Sequence, residues 1–373
     1  MALALIAVLV GVSGCRSLGF YGQALKGQCQ LVLNERSIDK LRQDPQTPKR
    51  LRERLELFER MRTFAAQELK LPVDNHYRKY VDVHRTFVVW NVEAAPEFSL
   101  EARTWWYPFV GSLEYRGYFS YDGATNYAGY LKRKGYDVSV GGVSAYSTLG
   151  WFKDPVLNTF LFDPEAELAE TIFHELGHQR LFAHGDTDFN EAFATSVGEE
   201  GARRWLKANG NTAALEAYEA HLRRNNQFVH LVMATRTRLE GVYGDAVSEG
   251  GRVKATSKNH HVPAPDLRGQ KQQVLDDMRA EYARLKTAWG GNDEFDGWFA
   301  HQVNNAGLNS VAAYYDFVPG FERLLAQNGG DLEKYYVAAK AIAKKPKKER
   351  HAELRRLAKA STNQSAEILE PGH

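Results

Sequence analysis

The sequence predicts a mostly helical α+β fold with one small mixed sheet and additional helices. Three observations predict it. Apolar residues return at helical spacing over most of the 373 residues. Polar–apolar alternation, the sign of a half-buried strand, is confined to short stretches before Ser147. No repeat of useful period appears, so a solenoid or propeller is not indicated.

Taken in order, Met1 to Val12 is apolar and is followed by Ser13-Gly14-Cys15. A hydrophobic run, two small residues and a cysteine read as a lipoprotein signal over residues 1–14, with cleavage before Cys15 and acylation of its thiol. The run is shorter than the ~20 residues of a spanning helix. Arg16, not Asp, follows the cysteine, so no inner-membrane retention signal is evident. The expected location is the cell envelope, anchored by lipid on the periplasmic face of the outer membrane. From Ser37 to Leu71 the spacing of Leu51, Leu55, Phe58, Met61 and Ala65 predicts helix. His84 to Val92 reads as a strand. Phe98 to Tyr130, rich in aromatics and glycine, reads as short strands and turns. Tyr136 to Tyr146 reads as an edge strand. Pro164 to Leu206 carries two helices, and Ala213 to Leu239 and Lys271 to Trp289 one each. The polar stretch Ser248 to Gln270 reads as a long loop in which His260 and His261 are solvated. Asn309 to Phe321 and Asp331 to Ala343 read as helical. Residues 344–373 are basic and polar and read as a mobile tail or a frayed helix. One region over residues 15–343 is expected, with a helical part at about 15–75, sheet and metal helices at about 76–210, and further helices at about 211–343.

Composition narrows the function. The formal charge of +2 argues against a nucleic-acid partner. Hydrophobic residues are 43% and charged residues 25%, as in a globular protein with ample core. With only two cysteines, and Cys15 lipidated, Cys29 is left alone. Neither a disulfide framework nor a cysteine metal site is then available.

The chemistry centres on His174-Glu175-Leu176-Gly177-His178. On a helix, residues four apart share a face one turn apart, so His174 and His178 can grip one zinc ion. Glu175 sits beside them, placed as a general base toward a zinc-bound water. Asp163 as N-cap with Pro164 at the first helical position predicts the helix start, and His184-Gly185 its stop. The motif thus falls mid-helix. A catalytic zinc needs a third protein ligand and an open position. Glu191 is the choice, on a second helix capped by Asp188 or Asn190 and folded back by a short turn. Its rivals are His184, Asp186 and Asp188. His184 falls on the far side of a continuing helix, and the pattern H-E-x-x-H-x-x-G-x-x-H fails at Leu181. Thr195 and Asp188 are candidates to orient the ligands.

Further segments carry a resemblance: Trp105-Trp106-Tyr107-Pro108, Tyr115-Arg116-Gly117-Tyr118-Phe119, Ala145 to Phe152, Phe173 to Gln179, Phe189 to Ala194 and Asn304-Asn305-Ala306. Together they run from about Tyr21 to about Tyr336, and on them the chain resembles the bacterial putative aminopeptidase family of zinc-peptidase-like envelope proteins. H-E-x-x-H with a downstream Glu is also similar in kind, though not in spacing, to the gluzincins such as thermolysin and the zinc aminopeptidases. The resemblance implies a zincin-like metallopeptidase region with one Zn2+ and a peptide or protein substrate. Zinc peptidases of this type commonly bind substrate as an added strand, and Asp137 to Tyr146 is the strand expected to receive it. In the familiar zinc aminopeptidases a G-x-M-E-N strand there supplies a Glu that holds the substrate amine. The comparable run here has none, and Glu170 is a conceivable substitute. A donor to the developing oxyanion is also needed. Tyr146 is the first candidate, with Tyr314 and Tyr315 as alternatives. Two other readings compete with an envelope peptidase: a lipid-anchored binding or scaffold protein with a non-catalytic zinc site, and a zinc amidase acting on cell-wall fragments. Oligomeric state is not fixed by the sequence.

Overall fold

The computed structural model describes residues 15–74, 76–107, 111–145, 153–244, 246–249, 252–255, 264–301 and 303–367. The chain opens with helix α1 (Cys15–Leu33), strand β1 (Arg36–Ser37) and helices α2 (Ile38–Gln43) and α3 (Lys49–Gln67). Strands β2 (Lys79–Val81), β3 (Val89–Pro96), β4 (Trp105–Tyr107), β5 (Gly111–Leu113) and β6 (Tyr115–Tyr118) precede helix α4 (Tyr121–Arg133) and strand β7 (Tyr136–Val143). Then come β8 (Val156–Leu157), α5 (Asn158–Leu161), α6 (Glu165–Arg180), α7 (Thr187–Ala208) and α8 (Thr212–Tyr243). A hairpin of β9 (Ala246–Glu249) and β10 (Arg252–Ala255) leads to α9 (Ala264–Ala288), α10 (Asp296–His301), α11 (Asn305–Tyr315), α12 (Val318–Gln327), α13 (Leu332–Ala343) and α14 (Lys347–Glu367). The described residues are 66% helical, with sheets of two or three strands, as the α+β expectation requires. Among the described residues no helix is long and apolar enough to cross a membrane.

Two three-stranded sheets frame the helices. One has the order β1-β2-β8, with an antiparallel and a parallel pair. The other, β6-β3-β7, is antiparallel throughout and places Glu93 of β3 opposite both Tyr115 of β6 and Ser139 of β7. Side chains alternate along a strand, so these three share one face. Strand β7 is an edge of that sheet, as expected.

The centre of the molecule is the α6–α7 pair. Leu168, Ala169, Ile172, Phe173 and Leu176 of α6 and Phe189, Ala192 and Phe193 of α7 are fully buried. Two glycines bring the helices close. A Cβ on Gly177 would lie 3.2 Å from the Ala194 Cα, and one on Gly198 would lie 2.9 Å from the Glu170 carbonyl oxygen and 3.1 Å from the His174 Cβ. A methyl group there has no room, so the short interhelical distance depends on glycine.

Several elements differ from the expected ones. The strand expected at His84 begins at Val89, because Arg85 turns back to hydrogen-bond the carbonyls of Phe87 and Val88 and His84 adopts φ 51°. Helix α4 lies in the stretch read as strands and turns. Ser120 caps it through Gly123 N–H, while its interspersed Tyr and Gly hide the helical period. The single helix expected over Asn309 to Phe321 is two, α11 and α12, and Pro319 opens the second. Part of the expected loop Ser248 to Gln270 is strand and helix, and His260 and His261 lie outside the described residues. The largest correction is the tail. Lys347–Glu367 forms α14, the helix of the two alternatives, and Arg350, Leu354 and Leu357 in its first half are buried against the body of the protein. A Cβ on Gly320 of α12 would meet the Leu354 carbonyl oxygen at 2.5 Å, which shows how closely α14 packs.

Candidate metal centre

Helix α6 begins one residue later than expected, with Pro164 as N-cap, and ends at Arg180. His174 and His178 therefore lie in its second half, on one face, with ring centroids 4.9 Å apart. Asp186 caps α7 by accepting from Phe189 N–H, so neither Asp188 nor Asn190 is the cap and Glu191 stands in the second turn. Asn190 has another task. Its side-chain amide accepts from Ala183 N–H and donates to the Ala183 carbonyl, which pins the turn between the helices. That turn folds α7 back along α6, and Glu191 Oε2 comes to 3.4 Å from His174 Nε2 and 3.5 Å from His178 Nε2.

The three donor atoms lie within 4.8 Å of one another. Two imidazole nitrogens and a carboxylate oxygen match the donor set of a catalytic zinc with an open fourth position. Electrostatics agree. Burial alone would raise the Glu191 carboxyl, but the His178 charge and hydrogen bonds from both imidazoles hold it far below the usual carboxylate range. Burial lowers His174, while at His178 the Glu191 carboxylate outweighs burial and raises it. His178 Nδ1 is buried without a hydrogen-bond partner.

Glu175 is 7% exposed, and its Oε2 has no partner. Burial pushes its carboxyl up to about 8, moderated by His178 and reinforced by Glu191 and Asp154. A cation held by the triad would draw that value back toward the working range of a general base. The buried hydroxyl of Tyr77, which feels the Glu175 and Asp154 charges, also lacks a partner.

The other expected residues sort clearly. Tyr146 lies outside the described residues. Tyr314, on α11, stacks against His174 with centroids 6.2 Å apart and ring planes 24° apart. Glu191 is the foremost cause, ahead of burial, that raises its phenol. Tyr315, the next residue, feels Glu170 and Glu199 instead and is turned away from the triad. Glu170 accepts a hydrogen bond of 2.7 Å from Tyr218 Oη. Thr195 is buried on α7. His184 is exposed and packs on Phe182. Asp186, Asp188 and His351 form a second group of metal-binding type. There the chain supplies its own partners: the cations Arg350 and Lys347 stand with Nη1 at 2.6 Å and Nζ at 3.7 Å from Asp186 oxygens, and His351 Nε2 lies at 2.8 Å.

Two features were not read from the sequence. Tyr115 of β6 faces the triad from the sheet; burial raises its phenol and the Glu191 charge adds to this. Asn305 fixes α11 over that sheet. Its side-chain amide donates to the carbonyls of Pro96, Glu97 and Ser99, its backbone N–H donates to Asp137, and Tyr243 donates to its Oδ1. The Asn304-Asn305 pair was the only sequence signal for this docking.

The family model described as "Putative aminopeptidase" matches residues 19–354. No curated protein and no solved structure matches the chain.

Proposed function

The chain belongs to the family described as "Putative aminopeptidase", and from that premise we propose that it is a zinc-dependent aminopeptidase of the bacterial cell envelope. The observation that carries this reading is the convergence of His174, His178 and Glu191 beside a buried, unpartnered carboxylate oxygen of Glu175. A structural zinc has no use for such a base. Zinc, when bound, supplies Lewis acidity and lowers the pKa of its water to about 7.

The chain's own groups do the rest. Glu175 accepts a proton from the attacking water at its free oxygen and returns it to the departing amine nitrogen. The raised Tyr314 phenol stays protonated and donates its hydrogen to the oxygen that gains charge as the carbonyl is attacked. Tyr314 is preferred over Tyr315 because only Tyr314 stacks on a metal-ligand ring. Lipid attached at Cys15 tethers the domain to the membrane, facing envelope peptides. Phenylalanine at position 314 keeps the stacked ring and loses the donor. Tyr314→Phe is expected to lower kcat by about 10²-fold with KM little changed. A fall in kcat/KM that comes through KM alone would assign Tyr314 to substrate binding.

The reading is tested with purified full-length chain loaded with one equivalent of zinc and offered a panel of aminoacyl coumarylamides and short peptides. Hydrolysis is expected, abolished by a chelator and restored by zinc. Absence of metal-dependent hydrolysis across the panel would overturn it.

A further inference from the structure

Tyr115 and Tyr314 also wall a small cleft with room for about one water-sized group such as an ammonium, and its lining includes Glu93, Glu114 and Thr187. Tyr314, which lines the cleft, stacks on the ring of His174, so the cleft adjoins the triad. Helix α11 forms one side through Ala306, Asn309, Ser310 and Ala313, spaced to share a helix face.

The polar groups of this cleft form a set of acceptors with too few donors. The Ser139 hydroxyl hydrogen-bonds Glu93, the Ser310 hydroxyl lies beside it, and no ion pair joins it to a cation among the described residues. Ser310 already gives its hydrogen to the Gly307 carbonyl. Burial pushes Glu93 up to about 8, and the nearby Glu114 adds to the rise. Burial pushes Glu114 up to about 7, with Asp188 raising it further and Lys347 and Arg236 opposing. Independently, the Thr187 hydroxyl, on a residue 6% exposed, has no hydrogen-bond partner. Two carboxylates and one unused hydroxyl call for a group with several N–H donors and a positive charge. An alkylammonium has three such donors and forms charge-assisted hydrogen bonds to carboxylates. In a peptide the α-ammonium is separated from the first carbonyl carbon by one carbon atom. A pocket for it beside the triad therefore presents the first peptide bond for cleavage.

We infer that Glu93, Glu114 and Thr187 receive the free α-ammonium group of the substrate's N-terminal residue and so confine cleavage to the first peptide bond. The inference rests on the peptidase reading of the adjoining centre. Glu170, the substitute considered from sequence, is already engaged by Tyr218.

The test compares leucinamide with 4-methylpentanamide, which has the same skeleton without the ammonium. Their affinities for the zinc-loaded full chain are measured by calorimetric titration, alongside Glu93→Gln and Glu114→Gln variants whose folding is checked by circular dichroism. Wild type is expected to prefer leucinamide by about tenfold or more, and each variant to lose most of that preference. Equal affinity for the two amides, binding of neither, or full preference retained in both variants would overturn the inference. Preferential binding of leucinamide without hydrolysis of any peptide would keep the ammonium pocket and remove the peptidase reading. If Glu93→Gln does not fold, Glu114→Gln carries the same comparison, because Glu114 lies between strands and not within one.

Discussion

Glu175→Gln is expected to remove at least 10²- to 10⁴-fold of the hydrolytic rate while leaving zinc content and fold intact. The change keeps the size and planarity of the side chain and deletes its capacity to take a proton. Stability should hold, because the wild-type carboxyl is itself an expensive guest. It is 7% exposed, one oxygen has no partner, and burial pushes it up to about 8. A neutral amide there relieves a desolvation cost and leaves the metal ligands untouched. Rates on an aminoacyl substrate, zinc by elemental analysis and thermal melting, measured on both proteins, decide the matter. An unchanged rate in the zinc-loaded variant would sink the general-base role.

The second large effect belongs to Glu191. In Glu191→Ala the one carboxylate lying 3.4 Å and 3.5 Å from the two imidazole nitrogens is gone, and two histidines remain. Zinc affinity should fall by more than the about 10–100-fold typical of losing a group that only orients a ligand. The deletion also leaves a small void among fully buried neighbours, since Ala192, Ala194 and Phe193 flank the site on α7. Zinc stoichiometry measured after dialysis against a weak chelator separates the outcomes. About one zinc in wild type and a clear loss in the variant fit the triad. Full occupancy in the variant would move the third ligand elsewhere.

How far the sequence carried these conclusions varies with the range of the interaction. The convergence of His174, His178 and Glu191 was legible because all three lie within one helical hairpin, where spacing alone fixes which side chains meet. Local signals misplaced the ends: the α7 cap is Asp186, and Pro164 precedes the first turn of α6 instead of opening it. The Tyr314 position was open among several tyrosines, since a phenol's role depends on what it faces. The facing surface, His174, is set by how α11 docks on the sheet. That docking runs through Asn305 to the carbonyls of Pro96 and Glu97, 209 and 208 positions away along the chain, where no local pattern reaches. Glu93 was hidden for the same reason. In a strand read only approximately, one acid looks like a surface residue until its cross-strand neighbours are known. The docked helix α14 was misread because the basic residues Lys344 to Lys348 gave no sign that Arg350 would find a buried aspartate.

The Asp186 clamp also bears on the order in which this protein assembles. The candidate metal triad comes together within a single hairpin, a contact of short range that costs little loop-closure entropy. Asp186, at the head of the same hairpin, meets Arg350 and His351 only after a separation of 164 and 165 residues has been closed. Closing so long a stretch is entropically slow and waits for the intervening helices to dock. The triad is thus expected to gather first in refolding, and the face built from α11 and the sheet to be completed later.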